Sequence, residues 1–366
     1  MLREIHSAAE LDEALDGSVS LDGFRLQNLD LSGSAGTRLR EAADRFDGLV
    51  VLGGQVPGDL AMDLTRRGAI IFPADPGAPV DAYRHALYSP TELYDGLEPS
   101  GYEATPDARA YAWFGDCAAR HDAYATALRA LHDDSMRDAL QEALDGRRTV
   151  GIMGGHAMSR DEAAFLEIAH LARRLADAGL VVLTGGGPGA MEAANLGAAD
   201  RTGRLDEALD VVAQVPSFRP DIGAWASAGF RAKELLGSGD DLRSVGIPTW
   251  FYGHEPPNVF CGAIAKYFSN ALREDTLLAR SSAGLVVLPG AAGTVQEIFQ
   301  AVTPLFYAAP DAPVPPLVLV GVEHWSVTVP VWPVLRALGE GRSLGASVHL
   351  VDTVEDAREV ALAARG

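Results

Sequence analysis

From residue 149 to the end of the chain, short apolar runs alternate with helical stretches. Runs rich in β-branched residues predict strands, and their continuous apolar character is typical of strands buried on both faces. The predicted strands are TVGIM (149–153), LVVLT (180–184), VVAQV (211–215), IPTWFY (247–252), GLVVLP (284–289), PLVLVG (316–321) and SVHLV (347–351). The predicted helices are 161–178, 189–200, 257–279, 294–308, 327–338 and 353–364. This alternation predicts a doubly wound α/β domain, in which helices cover both faces of a parallel sheet.

The first 145 residues have a different pattern. A strand pair is predicted near 48–52 and 69–72, around a helix that begins near Gly58, and two further helices are predicted at 107–119 and 122–144. A chain of 366 residues exceeds the usual size of one hydrophobic core. We therefore expect two domains. They are a smaller α/β and helical domain at 1–145, with a structural or regulatory role, and a Rossmann-like domain at 146–366.

Charge and composition restrict the class of partner. Thirty Lys and Arg against 50 Asp and Glu leave a formal charge of -20, which repels nucleic acid polymers but still allows a small phosphate ester to bind backbone N–H groups. Cys117 and Cys261 lack the spacing of a disulfide framework or a zinc site, so no metal is expected. Without a signal peptide or an apolar run of 18 residues, we expect a cytoplasmic protein with no membrane partner.

A glycine-rich loop follows the second predicted strand of this domain. It reads GGGPGAMEAAN from Gly185 to Asn195 and leads directly into a predicted helix. Glycines let the backbone turn sharply and approach an anion, while the free N–H groups and dipole of the helix favour negative charge. The loop therefore predicts a phosphate site, or else an ordinary tight turn between strand and helix.

A second loop repeats the same arrangement in LPGAAGTVQEIFQ, residues 288–300. Two such loops at the carboxyl ends of strands in one sheet face a common crevice, which makes the pair more specific than either loop alone. Thr294 would either cap the helix or donate to a phosphate oxygen. Glu297, one turn further, would either face the crevice or form a capping box with the backbone of Thr294.

A dinucleotide-binding dehydrogenase is an alternative, because Gly185, Gly187 and Ala190 satisfy the G-x-G-x-x-[G/A] pattern. That function requires an acidic residue at the end of the next strand, to bind the ribose hydroxyls. The predicted next strand is VVAQV, followed by Pro216 and Ser217, and ends in neutral residues. The pattern therefore disfavours a nicotinamide cofactor, and we expect none.

The two loops together identify a family resemblance. GGGPGAMEAAN and PGAAGTVQE resemble the GGGxxGLMG and PGGxGTxxE signatures of the LOG (Lonely Guy) phosphoribohydrolases, once labelled lysine decarboxylases. The opening GIMGGHAMSRDEAAFLEIAHLARRLADAGLVVLTGGGPG is also similar in order and spacing. The resemblance covers roughly residues 149 to 322, and the longer chain is similar to the larger bacterial nucleotide monophosphate nucleosidases.

The resemblance implies hydrolysis of the N-glycosidic bond of a nucleoside 5'-monophosphate, giving free base and ribose 5-phosphate. It implies Arg273 and Glu297 as the catalytic pair and a homodimer or higher homo-oligomer. A carboxylate suits the positive charge that develops on the ribose, and a cation suits the leaving base or the phosphate. The residues expected to contact substrate or phosphate are Gly154, Gly155, Ser159, Gly185, Gly186, Gly187, Gly189, Met191, Glu192, Asn195, Gly290, Ala291, Ala292, Gly293 and Thr294.

Three positions depart from the family pattern. Ala291 stands where the family usually has Gly, Glu274 where Lys is common, and Gln296 where a second acid is frequent. An altered neighbourhood of Arg273 allows a changed leaving base, or a site that binds nucleotide without cleaving it. A non-catalytic nucleotide sensor of the same fold is therefore the alternative function.

Overall fold

The computed structural model describes residues 3–17, 20–116, 121–251, 255–309 and 314–363. The chain divides into two compact units: the smaller comprises Met1–Leu87 and Gly115–Leu140, and the larger comprises Tyr88–Phe114 and Gln141–Gly366. The predicted division at residue 145 and the role of residues 1–145 stay predictions. Cys117 and the end of the predicted strand at Tyr252 lie outside the described residues.

Each unit contains a parallel sheet. Among the described residues the strands are β1 (Arg3–Ile5), β2 (Phe24–Gln27), β3 (Val50–Leu52), β4 (Ile70–Phe72), β5 (Thr149–Met153), β6 (Val181–Thr184), β7 (Ser244–Gly246), β8 (Ala263–Ile264), β9 (Leu285–Val287), β10 (Leu317–Val320) and β11 (Val348–Val351). In the described part of the smaller unit four of them form a sheet in the order β1-β2-β3-β4, and in that of the larger unit seven follow the order β11-β10-β9-β5-β6-β7-β8. The α/β architecture with a second, smaller sheet confirms the predicted fold class.

Helices connect the strands in both units. They are α1 (Ala8–Gly17), α2 (Ser34–Ala42), α3 (Gly58–Arg66), α4 (Pro90–Leu93), α5 (Leu97–Ser100), α6 (Pro106–Gly115), α7 (Ala123–Leu144), α8 (Ala163–Asp177), α9 (Ala190–Ala199), α10 (Leu205–Ala213), α11 (Ile222–Leu236), α12 (Asn270–Arg280), α13 (Ala292–Phe306), α14 (Trp332–Gly339), α15 (Ser343–Ser347) and α16 (Val354–Ala363). A 3-10 turn at Tyr102–Ala104 and a π-helix at His324–Thr328 complete the set among the described residues. None of the described helices has both the length and the apolar character needed to cross a bilayer.

The strand predicted at 211–215 is wrong. Most of it belongs to α10, whose buried residues Leu205, Ala208, Leu209 and Val212 recur at three- and four-residue intervals. That spacing puts them on one face of a helix, so the helical period overrides the β propensity of the two valines. A dehydrogenase would therefore need its ribose-binding acidic residue at the end of β7, the strand that pairs with β6. Ile247, Pro248 and Thr249 follow β7, and none of them is acidic.

The predictions of a strand at 247–252 and of a helix at 257–279 are also partly wrong. β7 ends at Gly246, before Pro248, which has no N–H to donate to a continuing ladder. In 257–279 the structure has the short β8 and then α12, which begins at Asn270 because the side chain of Ser269 accepts a hydrogen bond from the N–H of Leu272.

Four elements differ from the predictions for other reasons. α11 was not predicted, although the Asp221 side chain caps it by accepting from the N–H of Ala224. The helix predicted at 327–338 is divided around Pro330 into the π-helix and α14. β1 and β2 were missed because three or four residues are too short for a period to show.

Helices α8 and α9 pack closely in the larger unit. At Gly197 of α9, an added Cβ would lie 1.8 Å from the carbonyl oxygen of Ala169 in α8. The contacting atom is backbone, so it cannot move without moving its helix. Glycine at this position therefore allows the two helix backbones to approach.

Gly197→Ala is expected to lower the free energy of unfolding by about 1–3 kcal/mol, because overpacking outweighs the better helix propensity of alanine. Urea denaturation followed by circular dichroism measures the loss. Gly223→Ala in α11 is the matched control, since the atom nearest its added Cβ is the Asp221 side-chain Oδ1 at 3.3 Å. Equal midpoints for the two variants would contradict the close backbone contact.

Candidate functional site

The crevice lies where the order of the large sheet reverses. β5 pairs with β6 on one side and with β9 on the other, so the chain leaves β5 in one direction and later returns to its opposite edge. In open α/β sheets, ligands bind outside the carboxyl ends of the strands at such a point. Three loops start there, at Gly154 after β5, at Gly185 after β6 and at Leu288 after β9.

The loop after β6 contacts both the first loop and Arg273. An added Cβ at Gly189, where φ is +72°, would lie 2.7 Å from the carbonyl oxygen of Gly155. An added Cβ at Gly185 would lie 2.2 Å from Nη2 of Arg273. At Gly189 the contacting atom is backbone and φ is positive, so only glycine allows that approach. The structure thus brings the predicted loop residues and the predicted catalytic arginine together.

A buried polar network supports the loop after β6. Thr184 Oγ1 accepts from the N–H of Gly186 at 2.9 Å and donates to Oδ1 of Asn195 at 2.7 Å. Nδ2 of Asn258 donates to the same Asn195 oxygen at 2.9 Å and to the Gly187 carbonyl at 3.1 Å. Asn195 is therefore an anchor of the loop, and its predicted substrate contact stays a prediction. Asn258 was missed, because nothing in its local sequence relates it to a loop 70 residues earlier.

The predicted catalytic pair is in direct contact. Nη1 of Arg273 donates to Oε1 of Glu297 at 3.1 Å, and Nε of Arg273 donates to the Ile247 carbonyl at 2.8 Å. The side chains are 12% and 14% exposed, so each is mostly buried but not fully enclosed. Ion pairs in which Arg is also held by backbone have a restricted geometry. The pair therefore presents one carboxylate and one guanidinium at a defined spacing.

Burial raises the pKa of Glu297 above its usual value. Arg273 opposes this rise by its charge and its hydrogen bond, and the nearby negative charge of Glu274 adds to it. A carboxyl group with a raised pKa beside a crevice is typical of functional sites. Glu297 is therefore poised to exchange a proton closer to neutral pH than an exposed glutamate.

The loop after β9 opens helix α13. The helix begins at Ala292 with Ala291 as N-cap residue and without a side-chain cap. Thr294 is therefore not the N-cap, and Glu297 bonds Arg273, so both capping alternatives are wrong. Residues 291–293 are exposed, and an added Cβ at Gly293 would meet nothing within 4 Å. The first N–H groups of this 15-residue helix have no partner within the helix.

His324 is a contact that the sequence did not reveal. Its Nε2 lies 3.0 Å from the carbonyl oxygen and 3.3 Å from the N–H of Gly290. His324 stands on the π-helix that follows β10, the neighbour of β9 in the sheet. A lone histidine outside any motif offers no sequence signal for this placement.

The loop after β5 is held from two directions. Nδ1 of His156 lies 3.4 Å from Oε1 of Glu255, and the N–H of Ser159 donates to Oε1 of Glu162 at 2.7 Å. Behind the loop, Nη2 of Arg160 donates to Oε1 of Glu192 at 2.5 Å, with both side chains 1% exposed. Glu192 thus has a buried partner that the sequence did not predict. Its expected contact with a ligand stays a prediction, as does that of Ser159.

The remaining predicted contacts surround this crevice. Gly154 lies against α9 and β9, since an added Cβ would be 3.0 Å from the Cβ atoms of Ala190 and Leu288. Met191 lies beside the loop after β6, with its Sδ 2.6 Å from an added Cβ at Gly185. The three loops therefore converge, and the residues proposed as ligand contacts lie on or beside them.

Parts of this chain are similar to known proteins. No curated protein matches the sequence significantly. The molybdenum cofactor binding protein of the phototrophic bacterium Rippkaea orientalis aligns over 60% of this chain and 98% of its own, with 16% identity and a TM-score of 0.37. The molybdenum cofactor carrier protein of Chlamydomonas reinhardtii aligns over 60% and 98%, with 18% identity and a TM-score of 0.36. Residues 147–205, which carry the first two loops, match the family described as LDcluster4, SLOG cluster4 family.

Proposed function

We propose that this protein hydrolyses the N-glycosidic bond of a nucleoside 5'-monophosphate to free base and ribose 5-phosphate. The observation that carries the proposal is the contact between Arg273 and Glu297 beside the loops after β6 and β9. A carboxylate and a cation held together at an anion-friendly crevice are the two groups that cleavage of a ribosyl bond requires.

The exposed loop after β9 is the better phosphate site. The residues of the loop after β6, from Gly185 to Gly189, are buried. Oε2 of Glu255 also lies 3.5 Å from the position of an added Cβ at Gly187, and a carboxylate there disfavours a dianion. The N–H groups of 291–293 and the dipole of α13 instead favour one. The phosphate therefore binds the loop after β9, and the loop after β6 supports Arg273.

With the phosphate there, the reacting groups have distinct roles. Glu297, one turn along α13 from the phosphate loop, stabilises the positive charge that develops on the ribose and orients water toward it. Arg273 stabilises the leaving base as it gains electrons. Water supplies the hydroxyl to C1' of the ribose and a proton to the departing base nitrogen, so the reaction balances without a further co-reactant.

A panel of purine and pyrimidine nucleoside monophosphates tests the proposal. We expect at least one to yield free base and ribose 5-phosphate in equal amounts, measured by chromatography and by a reducing-sugar assay. Glu207→Gln is the matched control for Glu297→Gln, because Glu207 pairs with Arg204 at 2.6 Å on the exposed surface of α10. Nucleotide binding without release of any base would support the sensor alternative, and neither binding nor release would exclude both functions.

We also propose that the protein is a homo-oligomer, on the resemblance to oligomeric phosphoribohydrolases. Light scattering in solution is expected to give at least twice the chain mass of 38.6 kDa. A single-chain mass across the concentration range of the assay would contradict this.

A further inference from the structure

A second carboxylate lies beside the proposed catalytic pair. Glu274 follows Arg273 on α12 and is buried, with 5% of its surface exposed. Nε2 of Gln296 donates to its Oε2 at 2.6 Å, and Nδ2 of Asn270 donates to its Oε1 at 2.7 Å. Both oxygens therefore have an amide donor, and the bond from Gln296 links α12 to α13.

Two of the three departures from the family pattern are thus in contact with each other. Where the resemblance leads one to expect Lys and a second acid, the chain has Glu274 and Gln296, and these two side chains share one hydrogen bond. With Lys and an acid at these positions the donor would lie on α12 and the acceptor on α13, whereas here the donor lies on α13 and the acceptor on α12. The two substitutions are therefore one linked change, and the change leaves a negative charge at this position.

That charge acts on Glu297, the residue that follows Gln296. The charged groups that affect Glu297 are Arg273, which favours its carboxylate, and Glu274, which disfavours it. Two carboxylates and one guanidinium give the site a net negative charge when all are ionised. Such a charge stabilises a cationic ribosyl group and opposes ionisation of a neighbouring carboxyl.

We propose that Glu274 is a positioning residue, held by Asn270 and Gln296, that sets the proton affinity of Glu297 and fixes α13 against α12. This inference rests on the proposed function, because it concerns the same site. Glu274 acts through Glu297 and through the bond to Gln296. Its effect is therefore a change in the pH dependence of the site, which a purely structural contact would not produce.

The direction in which kcat/KM of the wild-type protein changes with pH follows from the role of Glu297. Glu297 works as a carboxylate, so kcat/KM falls as the pH drops through its raised pKa. Glu274→Gln keeps the shape and one amide contact but removes the charge, so the acid limb is expected to move to lower pH. Glu274→Gln combined with Gln296→Glu returns the carboxylate from the other helix, and the limb is expected to move back toward the wild-type position.

Asp275 supplies a matched control on the same two helices. Nε2 of Gln300 on α13 donates to Oδ1 of Asp275 on α12, which makes a second bridge between carboxylate and amide. Asp275 is exposed and is not among the charges that shift the pKa of Glu297. Asp275→Asn is therefore expected to leave the acid limb in place.

Carbon-13 NMR provides a readout that does not require turnover. In protein labelled at the glutamate carboxyl carbon, the signal that Glu297→Gln removes reports the titration of Glu297. We expect its midpoint to fall in Glu274→Gln and to recover in the double variant. An unchanged midpoint in a folded Glu274→Gln protein would overturn the inference, whether or not the protein hydrolyses nucleotides. A shifted midpoint in a protein that cleaves no nucleotide would instead retain the inference and reject the proposed function.

Discussion

Glu297→Gln is expected to lower kcat/KM for nucleotide hydrolysis by about a hundredfold to a thousandfold while leaving nucleotide affinity within about threefold. Loss of one preorganised charge aimed at the transition state costs roughly this much in other enzymes, because the interaction is made mainly as charge develops. The amide keeps the length of the side chain and can still accept a hydrogen bond from Arg273, which Glu297 contacts at 3.1 Å. The fold and the phosphate site should therefore be preserved.

Single-turnover rates and equilibrium binding measure the two effects separately. Glu207→Gln makes the same chemical change in an exposed ion pair and is expected to retain wild-type kcat/KM. A Glu297→Gln enzyme that keeps more than about a tenth of the wild-type rate would exclude Glu297 as the group that stabilises the ribosyl cation.

Arg160→Met is expected to lower the free energy of unfolding by about 3–5 kcal/mol, because it leaves Glu192 buried without a cation. Arg160 also donates to the carbonyl oxygens of Val215 and Trp225, and its guanidinium lies 4.6 Å from the centre of the Trp225 ring. These contacts join the loop after β5 to α9 and α11. Their loss should therefore also weaken nucleotide binding.

The main urea transition, followed by circular dichroism, measures the stability change. Arg204→Met breaks an exposed pair and is expected to cost less than about 1 kcal/mol. Arg160→Met combined with Glu192→Met removes the stranded carboxylate and is expected to be more stable than Arg160→Met alone. If the single and double variants unfold at the same urea concentration, the loss comes from packing and the charge argument is wrong.

The elements that were predicted well have a strong local signal. β5, β6, β9 and β10 are runs buried in the sheet, β11 is a half-buried edge strand, and the predicted ranges of all five contain the observed strands. Where two local signals compete, the prediction is wrong. In 205–213, the β-branched Val211 and Val212 indicated a strand, whereas the spacing of Leu205, Ala208 and Leu209 on one buried face determined a helix.

The residues of the candidate site also fall into those that the sequence predicted and those that it did not. Gly185, Gly189 and Glu297 could be chosen from the two glycine-rich motifs, whereas Arg273 was implied only by the family resemblance. The residues that hold them in place could not be predicted from the sequence. Asn258 holds a loop that precedes it by 70 residues, and the contact depends on how the chain returns to the sheet.

For this chain, local order along the sequence was sufficient to predict strands followed by glycine loops and helices, and hence an α/β sheet with an anion-friendly edge. Comparison with the family signature also marked Glu274 and Gln296 as unusual, but only as two separate departures. The tertiary structure decided that they touch at 2.6 Å, and that Arg160 and Glu192 neutralise each other in the core. Pairings of this kind depend on which helix faces pack together, and that is set by burial over the whole unit and not by any one segment.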